Sequence, residues 1–261
     1  MKIPIVDIDG NPAWPEMFPL EKIQELETIV GPRHFSAQMM LNYVPEERLH
    51  LDPGAINFYD QDFDSRFARL GSNEISGVSF YWDPSSGRAK SDGSVCALVY
   101  RDDKARTVFV HDILYTRVCD DDMHPLASQC DTVLDFMRQH NLVRIGIETN
   151  GIGNALPEII RSCATQKHMP INVIQISNNT KKETRILNAI EPILTTGRLY
   201  MHERIKQTML LSEMLAWSPI GSSEHDDGLD ALAGALTMNP FPIKAVNLRN
   251  QIVHAKTDFN I

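Results

Sequence analysis

Cysteine is scarce. The four in 261 residues (Cys96, Cys119, Cys130 and Cys163) lie far apart and never form a Cys-x-x-Cys pair, which excludes a zinc ribbon and a disulfide framework and fits a reducing compartment. Long apolar runs are also missing. No stretch approaches the ~18 apolar residues a spanning helix needs, and the first residues do not pair a charged start with an apolar stretch, so neither a membrane anchor nor a secretion signal is expected. A basic excess is absent: 25 Lys+Arg against 34 Asp+Glu give a formal charge of -9. That excludes adhesion to nucleic acid through bulk charge and leaves room only for a local basic groove. Repeats and low-complexity segments are absent. What remains, 43% hydrophobic and 23% charged residues, is an ordinary globular balance in a chain long enough to bury a core without a staple.

Residues 1–75 differ in texture from the rest of the chain. Pro12, Pro15, Pro19, Pro32, Pro45 and Pro53 punctuate two short amphipathic stretches, Leu20–Val30 and Phe35–Tyr43, ahead of the acidic segment Asp60–Asp64. Proline at that density precludes long helices and sustained sheet, so an arm or linker is expected there. From residue 76 to 240 the pattern is that of a folded domain. Val78–Asp83, Ser94–Tyr100 and Thr107–Tyr115 predict an antiparallel meander, followed by a helix carrying Leu126, Cys130, Val133, Leu134 and Met137. Val143–Glu148 is apolar enough for a buried parallel strand. A helix (Ala155–Gln166), a strand (Ile171–Ile176), a helix (Lys181–Leu194) that Pro192 should kink or divide, a strand (Arg198–Met201), a helix (Ile205–Trp217) and a last helix from about Asp226 to Met238 complete it. Residues 241–261 form a tail without clear period. This is an α/β order, three antiparallel strands continued by parallel ones with crossover helices, and it is the ribonuclease H type of arrangement.

Acids stand where folding alone would not select them. Asp83 ends the first strand, where alternation puts Ser79, Tyr81 and Asp83 on one face; the following Pro-Ser-Ser-Gly87 also suits a turn-initiating Asp. Glu148 closes the buried strand, at the edge where open α/β sheets place their ligands. His225-Asp-Asp-Gly-Leu-Asp230 precedes a small apolar helix, with more carboxylates than capping requires. In the expected topology Asp83, Glu148 and Asp226 or Asp227 converge. Clustered carboxylates raise one another's pKa unless a cation neutralises them. A pair of hard ions, Mg²⁺ or Mn²⁺, would do so through oxygen ligands and suits in-line attack of water on a phosphodiester.

With those residues in place the sequence resembles the large terminase subunit of tailed bacteriophages, in its C-terminal nuclease domain. The resemblance rests on Asp83-Pro-Ser-Ser-Gly87 followed by Ser91-Asp92, on Ile147-Glu-Thr-Asn-Gly151, and on Asn179-Thr-Lys-Lys-Glu-Thr-Arg185. It continues in Thr196-Gly-Arg-Leu199, in His225-Asp226-Asp227 with Asp230-Ala-Leu232, and in an arm with Gly31-Pro-Arg-His-Phe-Ser-Ala-Gln38. It implies a two-metal endonuclease (Mg²⁺ or Mn²⁺) that cuts concatemeric double-stranded DNA during genome packaging. Asp83, Glu148 and Asp227 would hold metal, with Asp226 as neighbour or substitute. Asp92 would be a possible outer ligand, and His225 would assist proton transfer or orient a carboxylate. It further implies an ATPase motor domain, the portal and the small terminase subunit as partners, and the cytoplasm of the infected bacterial host as location. The chain contains no Gly-x-x-x-x-Gly-Lys-[Ser/Thr] loop, so a motor is expected elsewhere, on a longer subunit or a separate one.

Lys181, Lys182 and Arg185 at one helix start are the candidate DNA contacts, with Arg198, Arg204 and Lys206 near in sequence. Few neutralised phosphates imply weak, salt-sensitive affinity. The same fold and acids would also serve a Holliday-junction resolvase or an RNA–DNA hybrid nuclease. A catalytically inactive module docking on portal or motor is the rival of a different class.

Overall fold

Alternation of large apolar residues through residues 77–116 builds a sheet buried on both faces, and the placement of the helices depends on it. The computed structural model describes residues 3–7, 10–30, 35–41, 51–85, 94–116, 123–150, 154–219 and 226–242. Along the chain come α1 (Leu20–Val30), β1 (Asn57–Tyr59) and the short strands β2 (Phe63–Asp64), β3 (Arg69–Leu70) and β4 (Asn73–Glu74). Next are β5 (Gly77–Asp83), β6 (Ser94–Asp102), β7 (Thr107–Thr116), α2 (Pro125–Gln139), β8 (Arg144–Glu148), α3 (Leu156–Gln166) and β9 (Asn172–Ile176). Last are α4 (Lys182–Thr195), β10 (Leu199–His202), α5 (Leu210–Ala216) and α6 (Asp227–Met238).

The main sheet has the order β1-β10-β7-β6-β5-β8-β9. β5, β6 and β7 form the antiparallel meander, and β8, β9, β10 and β1 are added in parallel. The first long strand is therefore central, with the fourth beside it, as the sequence leads one to expect. Segment 57–59, ahead of the expected domain start, supplies the edge strand β1, in register Asn57 to Tyr200. Residues 63–74 fold into a separate three-stranded unit.

Strand alternation sorts the core into two layers. Phe80, Trp82, Cys96, Leu98, Ile145 and Ile147 face α2 and α3. Tyr81, Val95, Ala97, Val99 and Val110 face α4, α5 and α6. Tyr81 and Trp82, neighbours pointing opposite ways, are both fully buried. α6 can lie close to β5 because Gly234 has no side chain: a Cβ there would stand 2.2 Å from the Tyr81 ring. Gly234→Ala is expected to destabilise by about 2–3 kcal/mol through overpacking, lowering the midpoint of thermal unfolding by roughly 4–12 °C, as differential scanning calorimetry would read.

Two expected elements differ. α4 runs unbroken through Pro192, which gives up one backbone N–H bond to the residue four before it and is itself buried. The expected helix 205–217 is split into a 3₁₀ turn, Glu203–Gln207, and α5. Thr208 takes an extended backbone (φ -100°, ψ 175°) and its hydroxyl accepts from Leu210 N (3.3 Å), a local bond that competes with helix continuation. Among the described residues no helix is long and apolar enough to cross a membrane.

Candidate active site

Two strands deliver acids to the same place. Tyr81 pairs with Gly146 and Trp82 with Ile147, so Asp83 and Glu148 are the next residues on adjacent parallel strands. Both fall on the Tyr81 face, because Trp82 and Ile147 belong to the opposite layer. α6 meets that face. Three residues after Asp227, at helical spacing, Asp230 is 5% exposed and four residues before Gly234, the point of closest approach to β5.

The electrostatics reflect that placement. The pKa of Asp83 is pushed well above the ordinary carboxylate value, first by burial and then by the negative charges of Asp230 and Glu148, against the pull of Lys182 and Arg185. Asp230 is also raised, by burial first and by Glu148, while its hydrogen bond to Arg185 opposes the shift. Glu148 is fixed by neutral donors: Tyr81 Oη donates to Oε2 at 2.6 Å, Asn178 Nδ2 to Oε2 at 3.0 Å and Asn150 Nδ2 to Oε1 at 3.1 Å. Asn178 Nδ2 also reaches Tyr81 Oη (3.0 Å), and Asn150 Nδ2 reaches the Asn178 carbonyl (2.7 Å). The β8 and β9 ends are thereby locked around one carboxylate.

The expected DNA-contacting cations are turned inward. Arg185 Nε donates to Asp230 Oδ1 at 2.8 Å, Arg185 Nη2 stands 3.5 Å from Glu148 Oε2, and its guanidinium side chain is 9% exposed. Lys182 Nζ lies 2.6 Å from Asp226 Oδ1, 3.5 Å from Asp227 Oδ1 and 3.7 Å from Asp230 Oδ2. Burial works against the Lys182 charge, yet these carboxylates hold its pKa above the usual lysine value. Only Lys181 is exposed. Nor do the other basic residues form one patch: Arg204 pairs with Asp62 (2.8 Å) and Asp112 (3.4 Å), and Lys206 pairs with Glu203.

Five carboxylates, Asp83, Glu148, Asp226, Asp227 and Asp230, thus share two cations. Buried Glu148 and Asp230 and half-buried Asp83 form the centre, and Asp226 and Asp227 meet Lys182 at its rim. In this arrangement no three His, Cys, Asp or Glu side chains among the described residues stand ready to enclose an ion; Arg185 lies between Glu148 and Asp230 instead. His225 and Asp92 lie outside the described residues.

Residues 83–199 match the family described as Terminase Bacteriophage T7, Ribonuclease H-like domain. Over that stretch the chain is similar to a terminase ribonuclease H-like domain. The terminase match begins at Asp83 and includes Glu148, while α6 with its acids lies beyond it in the chain. The fold is similar to that of the P22 large terminase nuclease domain, at TM-score 0.50 and 11% identity over 75% of this chain and 90% of that one. Lower likenesses are to the human cytomegalovirus terminase nuclease domain (TM-score 0.46, 14% identity, 63% and 83% of the two chains) and to the large terminase nuclease domain of bacteriophage SPP1 with bound Mn (0.43, 14%, 75% and 99%). Among curated proteins none matches the chain in sequence. The mixed sheet flanked by helices is the ribonuclease H-like nuclease fold, as the sequence resemblance implies.

Sequence reasoning passed over Asp230, Asn150 and Asn178 as working parts. The i, i+3 spacing of Asp227 and Asp230 was the available signal for the first; the amides join the site only through the β8–β9 pairing. Tyr81→Phe removes the shortest bond to Glu148 and leaves Asn178 and Asn150 in place. It is expected to cost about 1 kcal/mol of stability and to reduce metal-dependent cleavage roughly 3- to 10-fold, measured by chemical denaturation and plasmid nicking in parallel.

Proposed function

We propose that the chain is the nuclease part of a phage packaging enzyme, a divalent-metal-dependent endonuclease that cleaves concatemeric double-stranded DNA. The observation that supports this reading is the meeting of Asp83, Glu148 and Asp230, far apart in sequence, over one end of the sheet. The donor set fits Mg²⁺ or Mn²⁺: every candidate ligand is a carboxylate oxygen, and the acids outnumber the cations that face them. Asp83, Glu148 and Asp230 would hold a pair of ions, with Asp227 at the rim and Asp226 as its neighbour. Bound there, the ions would supply an activated water and charge stabilisation for phosphodiester hydrolysis.

The chain's own groups prepare that site. Tyr81, Asn150 and Asn178 hold Glu148 in place by donating to both of its oxygens. Arg185 and Lys182 keep the remaining acids together against their repulsion, and Lys181, exposed at the start of α4, is placed to meet a phosphate. The motor, portal and small subunit are the proposed partners, engaged through the proline-rich stretch ahead of the sheet, in the cytoplasm of the infected host.

The test is conversion of supercoiled plasmid by the purified chain with Mg²⁺ or Mn²⁺, compared with branched and RNA–DNA hybrid substrates. Duplex cleavage that stops with chelator is expected; no cleavage with either ion, or activity on branched or hybrid substrates alone, overturns the reading. The shifts also set a pH dependence. Asp83 and Asp230 hold protons above the ordinary carboxylate range, and ion binding requires them deprotonated. Mn²⁺ affinity, measured by calorimetry, should therefore rise as pH increases past their raised pKa values and fall off below them.

A further inference from the structure

At the opposite end of β5 from the carboxylates, but on the same face of the sheet, lies a cavity of about 300 Å³. That volume falls at the small end of ligand sites. Val99, Val108, Pro192, Ile193, Leu236 and Phe241 give it an apolar body, and Arg101, Arg106 and Arg198 give it charge. The three arginines are not equivalent. Arg101 is committed to Asp103 and to the carbonyls of Asn239 and Pro240, bonds that hold the 239–241 segment as one wall. Arg106 pairs with Glu25 on α1 at 3.0 Å, and the Phe241 ring lies over both guanidinium groups, 5.5 Å from Arg101 and 5.7 Å from Arg106.

Arg198 has no such partner. Half-buried, it makes no side-chain hydrogen bond or ion pair among the described residues, and its facing charge is another guanidinium, Arg106. Burial and that like charge both work against its ionised form. Two acids thus answer three cations around one concave, partly apolar space. A guanidinium without a counter-ion in a preformed cavity matches a phosphate, whose oxygens accept two parallel N–H bonds from it. The aromatic and aliphatic walls match a flat organic body joined to that phosphate. A duplex cannot enter a space of this size.

We propose that this cavity binds a small phosphate monoester with a flat apolar body, of the nucleoside 5′-monophosphate class, with Arg198 and Arg106 on the phosphate and Phe241 and Ile193 against the base. The site is separate from the carboxylate cluster and does not rest on the proposed nuclease reaction.

The experiment is calorimetric titration of the full chain with AMP, adenosine and inorganic phosphate, in chelator so that the acidic site takes no part. Saturable binding of AMP is expected, with adenosine and phosphate each at least about tenfold weaker and Arg198→Gln weakening AMP at least about tenfold, that is by about 1.4 kcal/mol. Because Arg198 has no internal partner, Arg198→Gln should unfold no earlier than the parent, so lost binding will not reflect lost folding. No saturation by about 10 mM AMP, phosphate binding as tightly as AMP, or a smaller loss in the variant overturns the proposal.

Discussion

Asp83→Asn is expected to reduce Mn²⁺-dependent conversion of supercoiled plasmid about a thousandfold, equivalent to roughly 4 kcal/mol of lost transition-state stabilisation. In the same variant thermal stability measured in chelator should rise. The two signs have one cause. Folding brings Asp83 beside Asp230 and Glu148 in a buried place, which raises its pKa. The folded state then favours the protonated form, a stabilisation present at low pH and lost as pH rises through the raised value. Above that value the ionised carboxylate costs folding energy, and the amide removes that cost while removing a ligand. If Asp83 only started the turn before Pro84, Asn would serve nearly as well: activity would stay at the parental level and stability would not increase. That result would end the catalytic assignment.

The strands around this acid were legible because their pattern is unambiguous. β5, β6, β7 and β8 are short β-branched and aromatic runs, most of them bounded by turn residues, and the structure reproduces them within about two residues. β1 was not legible, since three residues, Asn57–Tyr59, carry too little periodicity to signal a strand; its place is set by pairing with β10, 143 positions later. The helix break at Thr208 was hidden because one hydroxyl choosing its own backbone partners decides it. The cations were the largest misreading. Lys181, Lys182 and Arg185 look like a solvent-facing basic turn, but α4 packs against α6, and Lys182 and Arg185 reach acids there that lie 44 to 48 positions away in sequence. Spacing within one helix reports which residues share a face, never what that face meets. The acids themselves were legible in kind and nearly so in number, since Asp83 and Glu148 are out of place in strands by composition alone.

Asp230 separates the two ways α6 can serve the site. It is the first acid to act on Asp83, whereas Asp226 is engaged by Lys182 at the rim. Asp230→Asn is therefore expected to reduce cleavage about a hundredfold or more, Asp226→Asn no more than about threefold, and Asp227→Asn by an intermediate amount. Stability must be tracked alongside, because Asp230 is also the partner of the buried Arg185. Asn still offers an oxygen to the guanidinium but leaves a buried cation less compensated, a cost of about 2–3 kcal/mol. Asp230→Glu keeps the charge, so it should recover most of that stability while its longer side chain displaces the carboxylate and leaves cleavage low. A drop in unfolding temperature without a drop in cleavage would make Asp230 only the structural partner of Arg185. Equal losses in Asp226→Asn and Asp230→Asn would move the third ligand to the helix start, where Lys182 now sits.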